Sequence, residues 1–261
     1  MHKIQTLLRI HMHIIKTLIS ISFLFGCFTP NAQANSPMET CASDDKSCIM
    51  QQLESVAHSI TEERWRDQTY RELAKTYTYA GKPDKAIALI GKINNNDTKA
   101  MTIRGIGFAA ADSKWQTARY NELFQKLANE AQKIDHAPSH AIALTYIAMS
   151  QAFAGDDAGA TKTAQSMEND ALRNKAFGET AEIQAERKDF DAAMASISHI
   201  NTSSFRNKAY RIVSKIFANH DAIGEAYQSA ILIDNAYMKA EALQYILNRD
   251  NPEENLQGKA K

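Results

Sequence analysis

The chain has 261 residues, and its 30 Lys and Arg are matched by 30 Asp and Glu, so it carries no formal net charge at pH 7. That balance excludes the broad electrostatic attraction to nucleic acid that a basic protein would have. The length is enough for a sizeable core, and one elongated domain needs no separate linker.

The N-terminus reads as a processing signal. A basic start (Lys3, Arg9, Lys16) leads into the apolar run Leu18-Ile19-Ser20-Ile21-Ser22-Phe23-Leu24-Phe25, then Pro30 and the small-residue site Ala32-Gln33-Ala34. Basic, apolar and A-x-A regions in that order describe a secretory signal peptide over residues 1–34, and counting from Met12 gives it a more ordinary length. The apolar run falls short of the roughly 20 residues a membrane span needs. Leu24-Phe25-Gly26-Cys27 also resembles a lipoprotein cleavage box, with Phe25 bulky for its position, which would make Cys27 a lipidated first residue. The expected location is therefore the periplasm or the exterior, the alternative being a lipoprotein anchored through Cys27. Removing residues 1–34 takes away three basic residues and no acidic ones, which leaves a slight acidic excess.

Residues 35–61 form an N-terminal segment holding Cys41 and Cys48, with six residues between them. In an oxidising compartment such a pair can close a small loop. Two thiols without further His or Cys nearby do not fill a tetrahedral zinc site, and the CxxC spacing of a redox dithiol is absent.

After residue 47 nearly everything reads as helix: Ala, Leu, Glu, Gln, Lys and Met dominate, and no stretch alternates for strand. A first amphipathic helix over 47–60 carries Ile49, Leu53, Val56 and Ile60, and Thr61 is placed to cap the next, which ends near Ala80 with Gly81 as its exit. Pro83 opens a short helix through Ile90. Asn94-Asn95-Asn96-Asp97 is a loop ending in a cap, followed by helices near 98–111 and 114–134, the second lengthened by an insertion. His136-Ala137-Pro138-Ser139 stops that helix, with Ser139 placed to cap 140–154. Helices at 156–169, 171–187, 189–199, 203–218, 221–233 and 235–249 complete a repeat domain over 62–251. The tail 252–261 has few apolar residues.

A phrase returns along this array: Lys99-Ala100-Met101, Lys175-Ala176-Phe177, Lys208-Ala209-Tyr210 and Lys239-Ala240. Arg173-Asn174-Lys175-Ala176 and Arg206-Asn207-Lys208-Ala209 match over four residues at a spacing of 33. That period belongs to helix hairpins repeated in tandem, each completing its core against its neighbours. The fold expected is all-α, an α-solenoid of antiparallel helix hairpins.

The small and large residues of the first hairpin (Tyr70, Leu73, Ala74, Tyr77, Gly81, Ala86, Ile90 and Ile93) fall where the tetratricopeptide repeat places its own, and the chain resembles that family over most of 62–249. Ala74 stands where glycine is common, Ile93 replaces the usual alanine, and no proline closes the repeat; the hairpins around Ala160 and Ala193 keep the small residue of the second helix but lose much of the aromatic signature. The resemblance implies a right-handed superhelix whose concave face meets proteins or peptides, and it implies no chemistry. Its inward-facing positions fall on Gln68, Arg71, Lys75, Thr78 and Tyr79 in the first hairpin. In the middle repeats they fall on Thr145, Met149 and Phe153, then Lys175, Glu182 and Glu186. Two cations and a phenol on one face suit an acidic or C-terminal peptide segment.

Catalytic patterns are poor. His58 and Glu62 are separated by a helix boundary, His136 and His140 by Pro138, and His199 and His220 sit at helix ends where the helix dipole accounts for them. Gly105-Ile106-Gly107 lies inside an apolar run and follows no strand, which suits close helix packing better than a phosphate cradle. Asp156-Asp157 lacks the further ligands of a calcium loop. No cofactor, metal site or catalytic residue is expected. The leading expectation is a non-enzymatic envelope scaffold binding a protein or peptide, with membrane contact only if Cys27 is lipidated. The alternative is an accessory helical component that positions a cell-wall-processing enzyme or its polymer substrate.

Overall fold

A computed structural model describes residues 40–249, and every regular element among them is an α-helix. The segment 1–34 expected to be a signal peptide, Cys27 and the tail 252–261 lie outside the described residues. The described residues hold twelve helices: α1 (Lys46–Ser59), α2 (Glu63–Tyr79), α3 (Pro83–Ile90), α4 (Asn96–Asp112), α5 (Thr117–Gln132) and α6 (Ala137–Ala154), then α7 (Asp157–Gln165), α8 (Asp170–Glu186), α9 (Phe190–Ser198), α10 (Ser203–Asn219), α11 (Ile223–Ile231) and α12 (Ala236–Asn248).

Local chemistry sets most boundaries. Asp45, Asn95, Asp156, Asn169, Asp189 and Asn235 each accept the amide N–H three residues on, satisfying a donor the helix leaves open. At the other ends, Gly81, Lys114, Gly155, Lys188 and Asp221 take a left-handed backbone, at successive intervals of 33, 41, 33 and 33 residues. After four of these the chain closes back on the helix, through Lys82 N–H to Tyr77 O, Asp156 N–H to Gln151 O, Asp189 N–H to Gln184 O and Ala222 N–H to Phe217 O. At Lys114 the Trp115 N–H instead donates to the Tyr120 hydroxyl at 2.8 Å. The one long interval contains α5, which has 16 residues where α3 has 8 and α7, α9 and α11 have 9.

One expected helix face and two expected caps differ. α1 buries Met50 and Ala57, while Ile49, Leu53 and Val56 are exposed, because its contact with α2 runs along the adjacent stripe. α2 is preceded by Glu62 rather than capped by Thr61. α6 begins at Ala137, since Pro138 lacks only an N–H that the first turn does not use. Ser139 is thereby buried within the first turn, where its hydroxyl donates to Asp97 Oδ1.

The long helices pack in series, α2 on α4, α4 on α6, α6 on α8, α8 on α10 and α10 on α12, and each of α3, α7, α9 and α11 packs on the long helix before it. Small residues at matching places let these backbones approach. Ala74, Gly107, Ala148, Ala181 and Ser214 occupy one buried row, and Ala86, Ala160, Ala193 and Ala226 another. Large side chains fill the flanks, with Tyr70, Leu73, Tyr77, Ile103, Ile106, Leu127 and Ile147 in one apolar cluster and Phe177, Ile197, Val213 and Phe217 in a second. Leu144 of α6 is packed against both. A buried Asn or Asp near the start of a long helix holds the loop that leads to the next: Asp67 Oδ2 accepts from Asn94 and Asn95 N–H, Asn174 Oδ1 from Asn201 N–H and Asn207 Oδ1 from Asp234 N–H.

Candidate functional site

The long helices turn one polar and aromatic strip to solvent, and the 33- and 41-residue steps put its residues in common rows. One row runs Lys75, Phe108, Met149, Glu182, Lys215, and another runs Tyr79, Asp112, Phe153, Glu186, Asn219. Contacts join these rows across neighbouring helices. The Lys75 side chain lies over Gly105 of α4. Partial burial, and then the Asp112 carboxylate, raise the Tyr79 phenol above its usual pKa. From α4 to α6, the Arg104 guanidinium lies 5.2 Å from the centre of the Phe108 ring and 5.4 Å from that of Tyr146, and Phe108 meets Phe153 with ring centres 5.9 Å apart. A cation over aromatic faces beside a tilted aromatic pair holds its members in fixed positions. Phe153 nonetheless remains 38% exposed.

The strip changes sign along the series. α2 contributes Arg71, whose guanidinium pairs with Glu72 at 2.8 Å, and Lys75, followed by Arg104 on α4. α8 contributes Glu179, Glu182 and Glu186. Lys175 approaches Glu179 at 3.6 Å, and His220 Nε2 lies 2.9 Å from Glu186 Oε2. Burial first, then the Glu179 charge, push the Glu182 carboxyl up to about 6, with Glu186 adding to the rise and Lys208 opposing it. On α10, Arg211 and Lys215 both pair with Glu241 of α12, at 2.6 and 2.7 Å.

Of the residues singled out in the sequence, Gln68, Arg71, Lys75, Tyr79, Met149, Phe153, Lys175, Glu182 and Glu186 are exposed or half-buried on the long helices. Thr78 and Thr145 are not available to a partner. Thr78 shares its row with the buried Ala111, Ala152, Ala185 and Ala218, and its hydroxyl donates to Ala74 O. Thr145 is in register with Arg71 and Arg104, but its short side chain stays below its neighbours and its hydroxyl donates to Ala141 O. Sequence reasoning missed Arg104, Phe108, Tyr146 and Glu179. One 33-residue step from Arg71 and Lys75 arrives on Arg104 and Phe108, so the repeat spacing carried the signal across the irregular repeat.

Cys41 and Cys48 are joined, with Sγ atoms 2.02 Å apart and Cα atoms 5.7 Å apart. Among the described residues no three His, Cys, Asp or Glu side chains gather as a metal-holding group, and no helix is long and apolar enough to cross a membrane. No protein-family model matches the chain, and no match is found among curated proteins or solved structures.

Proposed function

We propose that the chain is a non-enzymatic scaffold or adaptor of the bacterial envelope, a solenoid of helix hairpins similar to the tetratricopeptide repeat that holds a protein or peptide on the strip formed by its long helices. The observation that carries this reading is the Arg104–Phe108–Tyr146–Phe153 cluster. It is an aromatic anchor held in position by ring and cation contacts yet open to solvent at Phe153, with cations on one side and carboxylates on the other. Aromatic and Arg residues of this kind contribute most of the affinity at protein interfaces, and surrounding charges set orientation. The serial packing of the long helices supports the solenoid reading, and the Cys41–Cys48 bond supports an oxidising compartment.

The test is a photo-crosslinking residue placed at Phe153, with the same residue at Lys162 on the short helix α7 as control. The expected result is a discrete protein adduct from Phe153 only, lost when Arg71 and Lys75 are both replaced by Gln. Equal adducts from both positions, or an undiminished adduct in the Arg71, Lys75 double variant, would reject this face.

A further inference from the structure

The lengthened helix α5 packs on α3, and a cleft of about 340 Å³ opens between them, on elements distinct from the strip described above. Its apolar floor is Ile87 and Leu123. Six charged side chains line it: Lys82, Asp84, Lys85, Arg119, Glu122 and Lys126.

These charges do not cancel in pairs. The Lys126 ammonium takes both carboxylates, lying 2.7 Å from Asp84 Oδ1 and 2.6 Å from Glu122 Oε1, and these two contacts are the first causes that raise its pKa. Lys82, Lys85 and Arg119 make no ion pair among the described residues. Lys82 Nζ donates to Ser47 Oγ at 3.1 Å. Lys85 Nζ lies 5.6 Å from the centre of the Tyr77 ring, and the carboxylate whose charge it feels, Glu54, is already held by Lys92 at 2.7 Å. Arg119 is positioned from two sides: it gives one N–H to Gly81 O at 2.9 Å, and its guanidinium lies 3.7 Å from the centre of the Trp115 ring. A guanidinium so fixed keeps further N–H groups for an oxyanion and gives up little freedom on binding one.

We propose that this cleft binds a phosphate monoester, its phosphoryl oxygens held by Arg119, Lys82 and Lys85 and its organic part resting on Ile87 and Leu123. A dianion matches the net charge of the lining, four cations against two carboxylates. The insertion that lengthens α5 thereby gains a role, since Arg119 and Lys126 both stand on it.

Trp115 beneath Arg119 serves as the reporter, and Trp65→Phe makes it the sole tryptophan, since the chain has two. Inorganic phosphate, titrated at constant ionic strength, is expected to change Trp115 fluorescence saturably and to raise the Tm by mass action, while chloride does neither. Arg119→Gln and Lys85→Gln, made separately, are each expected to weaken phosphate binding by about tenfold. Lys162→Gln on α7 leaves it unchanged. A response to chloride equal to that for phosphate, or unaltered phosphate binding in Lys85→Gln with its helical circular dichroism intact, would overturn the proposal. Two further probes identify the source of the phosphate. Binding of glycerol phosphate without sedimentation on phosphatidic acid vesicles indicates a soluble ester. Sedimentation on those vesicles, but not on phosphatidylcholine vesicles, and lost in Lys85→Gln, indicates a lipid headgroup.

Discussion

At Gly107 an added Cβ would stand 2.8 Å from Ser150 Cβ and 2.4 Å from its Oγ, and turning the Ser150 side chain relieves only the second contact. Gly107→Ala is therefore expected to cost about 1–3 kcal/mol, read as a lower urea midpoint at unchanged m. Asp67 is buried with Oδ2 accepting two loop amides and Oδ1 unpartnered, in the role that Asn174 and Asn207 play further on. Asp67→Asn keeps the acceptor and is expected to be tolerated, whereas Asp67→Ala leaves two buried N–H groups open and lowers stability by about 1–3 kcal/mol in denaturant titration. Glu182 has the opposite character. Its carboxyl, pushed up to about 6 in the folded state, lies above the ordinary value of 4.5, so the folded state binds the proton more tightly and this group's contribution to stability falls as pH rises from 4.5 through 6. Glu182→Gln is expected to flatten that decline and to raise stability at pH 7 by about 1 kcal/mol after allowance for solvent screening. A steeper dependence of Tm on pH in the variant would contradict the assignment.

At the scale of elements, helix identity follows from local chemistry and helix faces do not. Caps at Asn95, Asn169 and Asn235, the left-handed exits and Pro83 each act within a few residues, so the order of helices is legible along the chain. α1 shows the limit: Ile49, Leu53 and Val56 have helical spacing, yet contact with α2 runs through Met50 and Ala57, with Glu54 Oε2 accepting from the Tyr77 hydroxyl. α1 is also where the disulfide acts, since Cys48 lies in its first turn. Replacing both Cys41 and Cys48 by Ser is expected to speed amide exchange in α1 and leave α4 to α10 unchanged. Uniform loss of protection across all helices would show that the bond supports the whole core.

Over the whole molecule, stability is expected to spread through neighbours in the series rather than all at once. The two main apolar clusters meet at Leu144. Ile197→Ala, deep in the second cluster, should therefore reduce exchange protection most in α8, α9 and α10 and least in α2. Equal loss in α2 would mean that the two clusters unfold as one. The strip is a property of the same scale. Arg104 and Phe108 carry no local pattern that marks them, and they become a site because α4 brings them beside Tyr146 and Phe153 of α6.

The sequence alone determined the all-helical character, the 33-residue step with its single lengthened repeat, and the pairing candidates Cys41 and Cys48. Caps, turn residues and apolar spacing are local signals, and a repeat shows itself by returning. Only the tertiary structure decided which side chains reach solvent, hiding Thr78 and Thr145, exposing one stripe of α1, and opening the cleft between α3 and α5. Exposure depends on what the next helix covers, and that contact lies some thirty residues away along the chain, where no local signal records it.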